Sequence, residues 1–455
     1  MKRQPWKAAT VLSLALLTTA CGGNAAPATN SAATPGSTDA PSSNAAAETA
    51  KPVSQEPVTL TFYSYNLAIA SQAEGTEKLI REFEEAYPHI SIEAVPVPSP
   101  DINAKVQADI VAGTAPDIAQ LVFDGLDFAV HNFNAKPLED IVSAEQLAAD
   151  FEGFSPNGLQ LGQLDGKTYG LPFTFSTPVL FYNARLFEEA GLDAERPPTT
   201  WAEAQQYGLQ IAEKTGTAGI HVGGSAGNDW IVQGLIGSNG GQVLSDDRQT
   251  IRFGEPEVIG AIEMWQELIA SGAGSKMNDG EAIEAFTQGK VGMLLFTSAL
   301  QSSFIAASEA GGWELKAAKM PSFDDKPTAP VNSGSALFIL SDDEVKQQAA
   351  YEFLKFATSE RGYTIITSEL GYLPLRPAIL EDPRYLKDWV AANPLVQPNL
   401  EQLERLQQWV SFPGPNWRQI ENILLESVAK AILSPADQVA GIMQDGQQRA
   451  QALVQ

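Results

Sequence analysis

Apolar positions in this chain recur in blocks of two alternating periods, and the alternation predicts a fold class before any motif is considered. Residues 58–63 are an apolar, β-prone run that reads as a strand. Leu79, Ile80, Phe83 and Tyr87 then recur at helical spacing over 77–87, and Pro88 stops that helix. A second strand follows at 90–97. Ile102, Val106 and Ile110 place one apolar face on a helix over 101–112, and Gly113 to Asp117 turns into a third strand at 118–122. Strand–helix–strand–helix–strand order predicts a parallel sheet covered by helices. A second α/β region runs from about 173 to 298, with helices at 201–214, 256–271 and 279–288 and a strand over 289–296. A strand at 335–340, a helix at 342–358 and a largely helical C-terminus complete the pattern.

The segment 172–201, PFTFSTPVLFYNARLFEEAGLDAERPPTTW, combines these signals most densely. Residues 178–182 are apolar and β-prone, so they read as a buried strand. A short helix over 186–190 follows, closed by Gly191 with Leu192 as the apolar residue behind it. Pro197 and Pro198 block any helix, and Thr200 with Glu203 forms a capping box that opens the next one.

The N-terminus predicts export. Lys2, Arg3 and Lys7 precede an apolar run at 8–20 that is too short to span a bilayer, the form of a signal peptide over 1–20. Cys21 is the only cysteine and directly follows Ala20, where a lipid attachment site is expected; Thr18 replaces the leucine usual three residues before it. A disulfide within one chain is therefore impossible. Residues 21–57 are rich in Ala, Pro, Ser, Thr and Asn and predict a disordered tether from that anchor. With 55 Asp and Glu against 29 Lys and Arg, and a formal net charge of −26, the chain repels nucleic acid and anionic lipid.

No catalytic constellation emerges. His89, His131 and His221 stand apart, without metal-ligand spacing, and the glycines at 223–227 lack the Lys-Ser/Thr of a phosphate loop. No enzyme activity, cofactor or metal is expected. Sugars and polyols are bound by stacking on aromatics while polar side chains read the hydroxyls. Trp230 follows Gly227, Asn228 and Asp229 in a predicted loop, where a core tryptophan is unusual, so it is the leading stacking candidate. Trp417, in the turn-rich stretch 412–417, is a second. Trp265 shares helical spacing with Ile262, Leu268 and Ile269 and reads as core; Trp201, at the first turn of a capped helix, reads as a packing anchor.

The string PF-x-x-STPVL-x-YN…AGLD…PP-x-TW, the AGTAPDI run at 112–118, Gly289 to Met293 and Gly371 to Pro374 together resemble the extracellular solute-binding proteins of ABC importers, family 1, closest to the glycerol-3-phosphate/maltose-binding branch. The resemblance covers about 58–450. It implies a periplasmic-binding-protein type II fold of two α/β lobes joined by a hinge with three crossings, lobe 1 from 58–172 and 319–371, lobe 2 from 173–318 and 372–455. Residue by residue it implies ligand contacts at Ser176, Asp124, Gly334, Tyr372, Ser298 and Tyr65. The branch's C-terminal phosphate-pairing arginine aligns near Pro413 instead; Arg376 and Arg418 are substitutes out of register. Loss of a bidentate phosphate partner favours an uncharged sugar or oligosaccharide, with glycerol-3-phosphate or a glycerophosphodiester as the alternative and a secreted carbohydrate-active enzyme behind both. The implied partners are a carbohydrate, the transmembrane permease subunits and the membrane through the lipid anchor, for a monomer outside the cytoplasmic membrane.

Overall fold

The computed structural model describes residues 56–155, 157–224 and 227–454. The leader, Cys21 and the tether up to residue 55 lie outside the described residues. Two sheets organise the rest. The first has five strands in spatial order Ile90–Pro96, Val58–Ser64, Ile118–Val122, Ser333–Ile339, Gly170–Ser176. Its first three strands are mutually parallel, and Ser333–Ile339 runs antiparallel to both of its neighbours. The second has four strands in order Leu315–Ala318, Pro178–Asn183, Val291–Thr297, Ala218–Val222, with only the last pair parallel.

Each strand read from the sequence is present: the central ones are apolar runs buried on both faces, all six residues of Pro178–Asn183 among them, whereas the edge strand Ile90–Pro96 buries only Ile90 fully. Gly170–Ser176, wholly buried, is a further strand that the sequence reading did not include. Helix Trp201–Thr215 starts at the expected capping box: the Thr200 hydroxyl accepts from the Glu203 amide, and the Glu203 carboxylate accepts from the Thr200 amide. Helix Ala70–Ala86 begins seven residues earlier than the apolar spacing predicts, since its first two turns carry few large apolar side chains and pack instead through Gly75 and Thr76. Helices Trp417–Ile432 and Ala436–Gln451 pack on Pro256–Ala270 beside the second sheet, whereas Glu360–Leu370 packs on Ala70–Ala86 beside the first.

The chain passes between the sheets with almost no slack. Ser176 ends a strand of the first and Pro178 opens one of the second. Thr177 between them is fully buried; its hydroxyl donates to Asn399 Oδ1 at 2.7 Å and its carbonyl accepts from the Ser298 amide at 3.1 Å. The return runs through 319–332. Residues 371–376, where the resemblance implies a third crossing, stay on the first lobe: the Leu373 amide donates to the Phe175 carbonyl, and the Ser155 amide to the Leu375 carbonyl. By Gln397–Gln402 the chain lies on the second sheet, with Gln402 Nε2 donating to the Pro178 carbonyl at 3.0 Å.

Candidate functional site

The strand ends of the two sheets face one another, and the polar residues there are nearly all buried. On the first lobe, Tyr65 follows Val58–Ser64, and its hydroxyl lies 3.4 Å from Thr174 Oγ1, which in turn sits 2.7 Å from Ser335 Oγ. Gln120 continues the network to Ser335, Asn66 and Ser64. Tyr372 adds its hydroxyl, accepting from Gln72 Nε2 at 3.2 Å. Burial pushes both tyrosine hydroxyls above their ordinary pKa, so they remain neutral donors. Gly334 holds φ at +118°, and a Cβ there would lie 2.0 Å from the Thr174 carbonyl oxygen. Only glycine lets the strand bulge close over Thr174.

Where the sheets meet, Ser176 Oγ lies 2.8 Å from Thr297 Oγ1, and Ser298 Oγ is 3.4 Å from the Thr177 amide. Asp124 sits in the turn Phe123–Gly125 after the third strand, buried at 6% exposure. Its Oδ2 takes Arg418 Nη1 at 2.9 Å, an ion pair running from one lobe to the other, and the same nitrogen reaches Glu421 at 3.3 Å. Asp127 and Arg248 make a second pair of this kind at 2.7 Å. The segment 406–416 runs along the seam and bonds to both sides. Ser411 Oγ donates to the Asp124 carbonyl, and Trp409 Nε1 donates to Asp229 Oδ2 at 3.1 Å.

Trp230 is not in a loop. It occupies the first turn of helix Asp229–Ser238, is 2% exposed, and donates its indole N–H to Asn228 Oδ1 at 3.2 Å. Gly227 and Asn228 signalled a loop correctly, but the helix begins immediately after them. Trp417 likewise opens a helix, with the Arg418 guanidinium 4.0 Å over its ring and Phe128 of the first lobe 6.2 Å away.

Arg376 is a correction. Its guanidinium donates to the carbonyls of Thr358, Glu152 and Asp150 and lies 4.7 Å over the Phe154 ring. Every face is occupied within the first lobe, so it does not serve a ligand between the lobes. Arg418, judged out of register, is the guanidinium that reaches the site. The sequence reading also missed Asp229 and Glu421, which join Asp124 as a buried acidic group; the i, i+3 spacing of Arg418 and Glu421 on one helix was the available signal for the last.

The match to the family of bacterial extracellular solute-binding proteins spans residues 78–398. The chain belongs to that family. Among this solute-binding protein's curated relatives, the sn-glycerol-3-phosphate-binding periplasmic protein UgpB of Pectobacterium atrosepticum is 27% identical over 64% of this chain and 68% of its own length. The UgpB of Escherichia coli is also 27% identical, over 66% and 71%. Similar solved structures include the cyclic α-maltosyl-1,6-maltose binding protein of Arthrobacter globiformis, with TM-score 0.76, 23% identity and coverage of 87% of this chain and 99% of that one. UgpB of Mycobacterium tuberculosis, solved with glycerophosphocholine, gives 0.74, 22%, 87% and 98%. These likenesses establish the two-lobed type II periplasmic-binding fold. Among the described residues of this solute-binding protein, no helix is long and apolar enough to cross a membrane, and no three His, Cys, Asp or Glu are grouped to hold a metal ion.

Proposed function

We propose that this protein captures a carbohydrate, a sugar or oligosaccharide, between its lobes and delivers it to the transmembrane permease of an ABC importer, working as a monomer outside the cytoplasmic membrane on a lipid anchor at Cys21. The observation that carries the choice of ligand is the state of the guanidiniums in the site: Arg418 is already shared by Asp124 and Glu421, and Arg248 is paired with Asp127. A phosphate entering there meets carboxylates rather than a free cation, whereas carboxylate and hydroxyl acceptors suit the O–H donors of a sugar. The reading assigns ligand contact to Tyr65, Asp124, Ser176, Trp230, Ser298, Gly334, Tyr372 and Trp417. Closure follows from a ligand that touches both lobes and so favours the state in which both contacts are made.

The names of the curated relatives support a second reading, a glycerol-3-phosphate or glycerophosphodiester ligand, in which Arg418 leaves Asp124 for the phosphate. A thermal-shift and calorimetric panel of mono- and oligosaccharides beside sn-glycerol 3-phosphate separates the two, since a ligand of the folded state raises its melting temperature. Saturable sugar binding, with the sugar recovered unchanged, is expected. A response to glycerol phosphate alone, or conversion of the sugar, overturns the reading. Trp230→Ala should weaken sugar binding at least tenfold; unchanged affinity removes Trp230 from the site.

A further inference from the structure

Acidic groups outnumber basic ones inside the site. Asp124 comes from the first lobe, Asp229 and Glu421 from two helices of the second, and all three are at least nine-tenths buried. One guanidinium answers them, at Asp124 and Glu421. Asp229 receives only neutral donors, Trp409 Nε1 at 3.1 Å and Gln233 Nε2 at 2.9 Å. Asp229 Oδ1 is buried with no hydrogen-bond partner, and Asp124 Oδ1 has no well-aligned one, the Gly125 amide being the backbone group beside that carboxylate. Buried polar atoms are almost always paired, and an ionised oxygen left unpaired is costlier than a neutral one.

The three carboxylates are not arranged as a metal-ligand set, so a small divalent ion does not explain them. A phosphate adds to the imbalance. A neutral hydroxyl fills an empty oxygen but gives the acids no countercharge on ionising, so they stay protonated. A cationic group on the ligand does both. The surrounding aromatics suit it: Trp409 already touches Asp229, and the ring of Trp417 already carries a cation, the Arg418 guanidinium. Resting on the carbohydrate reading, we propose that the ligand is an amino sugar or an amino-substituted oligosaccharide, and that Asp124, Asp229 and Glu421 form the subsite for its ammonium.

Titration behaviour agrees with this. Burial, together with mutual repulsion, pushes Asp229 up to about 7 and Glu421 up to about 8, and burial raises Asp124 in spite of Arg418. The remaining charged groups nearby are already matched or neutral. Asp127 is paired with Arg248 and lies 3.4 Å from His131, and Tyr65 is held protonated. An arriving ammonium lowers all three acids and expels protons near neutrality.

The test is isothermal calorimetry of the purified mature protein at pH 7, in two buffers of unlike ionisation enthalpy. The probes are the unacetylated glucosamine disaccharide, its N-acetylated counterpart, maltose and sn-glycerol 3-phosphate. The amine form is expected to bind at least tenfold tighter than the N-acetylated form and to release protons. Asp229→Asn, and separately Glu421→Gln, should shrink that preference below threefold while the ligand-free melting temperature at pH 7 is no lower than that of wild type. An amine form that binds no tighter, releases no proton or gives no response overturns the inference. Binding of the neutral sugars in that case leaves the carbohydrate reading standing; glycerol phosphate binding with no sugar response overturns the carbohydrate reading itself.

Discussion

Arg418 is one of two arginines, with Arg248, whose ion pairs join the lobes, and removing it should open the ligand-free protein. Its Nη1 lies 2.9 Å from a carboxylate that is 6% exposed, while its own side chain is 48% exposed. Two unit charges about 4 Å apart attract by about 4 kcal/mol at an effective dielectric near 20. Fully exposed pairs contribute about 1 kcal/mol or less, and stranding one partner of a fully buried pair costs about 3–5 kcal/mol. Arg418 lies between those limits, so Arg418→Ala should shift the open–closed equilibrium by about 2 kcal/mol, roughly thirtyfold. The loss is compounded by repulsion, since Asp124, Asp229 and Glu421 then meet without a counter-ion. Small-angle scattering reads the result as a larger radius of gyration for the ligand-free variant at pH 8.5, with circular dichroism unchanged. At pH 5.5 Asp229 and Glu421, pushed up to about 7 and about 8, are protonated, so the repulsion is relieved and the variant's radius should fall back toward the wild-type value. An identical radius for variant and wild type at both pH values would refute the reasoning, as would an expansion that persists at pH 5.5.

Three further outcomes are expected. Stability should fall as pH rises from about 4 to 8, because the raised acids stay protonated when folded but ionise when unfolded; the slope is at most about 1.4 kcal/mol per unit for each group, and a thermal melt series on wild type and Asp229→Asn, which should flatten it, checks the sign. Arg376→Ala should lower the melting temperature by several degrees through three stranded carbonyls, at about 1.5–3 kcal/mol for each charged hydrogen bond, while ligand affinity measured below that temperature stays put. Gly334→Ala forces a Cβ to 2.0 Å from the Thr174 carbonyl at a φ that alanine resists, so the protein should either unfold at lower denaturant or lose ligand affinity; wild-type values of both would refute the strand-bulge account.

Most strands were legible in the sequence because they are short apolar runs whose period needs no partner to be recognised, whereas Gly170–Ser176, Ala218–Val222 and Leu315–Ala318 were not read. Residues 58–63, 90–97, 118–122 and 178–182 are all strands within a residue or two. Thr200 and Glu203 marked a helix start by local chemistry alone. The site was less legible, for a physical reason. Asp124, Asp229 and Glu421 come from three distant segments, and only the fold brings their charges together. Trp230 was singled out for being in a loop, but Asp229 and Trp230 already belong to a helix. Arg376 looked like a spare cation in sequence and is instead the staple joining 150–152 to 358. Side-chain partners over long separations are set by topology, which residue spacing does not encode.

Thr177 has a consequence for how the molecule can move. A single buried residue, pinned at its hydroxyl and its carbonyl, separates two strands that belong to different sheets. It leaves almost no chain to reel out, so a movement of one sheet relative to the other at this point is expected to be a rotation rather than a slide. The longer passage at 319–332 must then sweep the arc, as a door's free edge does while its hinge pin stays still. Any label meant to report closure belongs on the sweeping passage, and a probe placed at the pivot would stay silent.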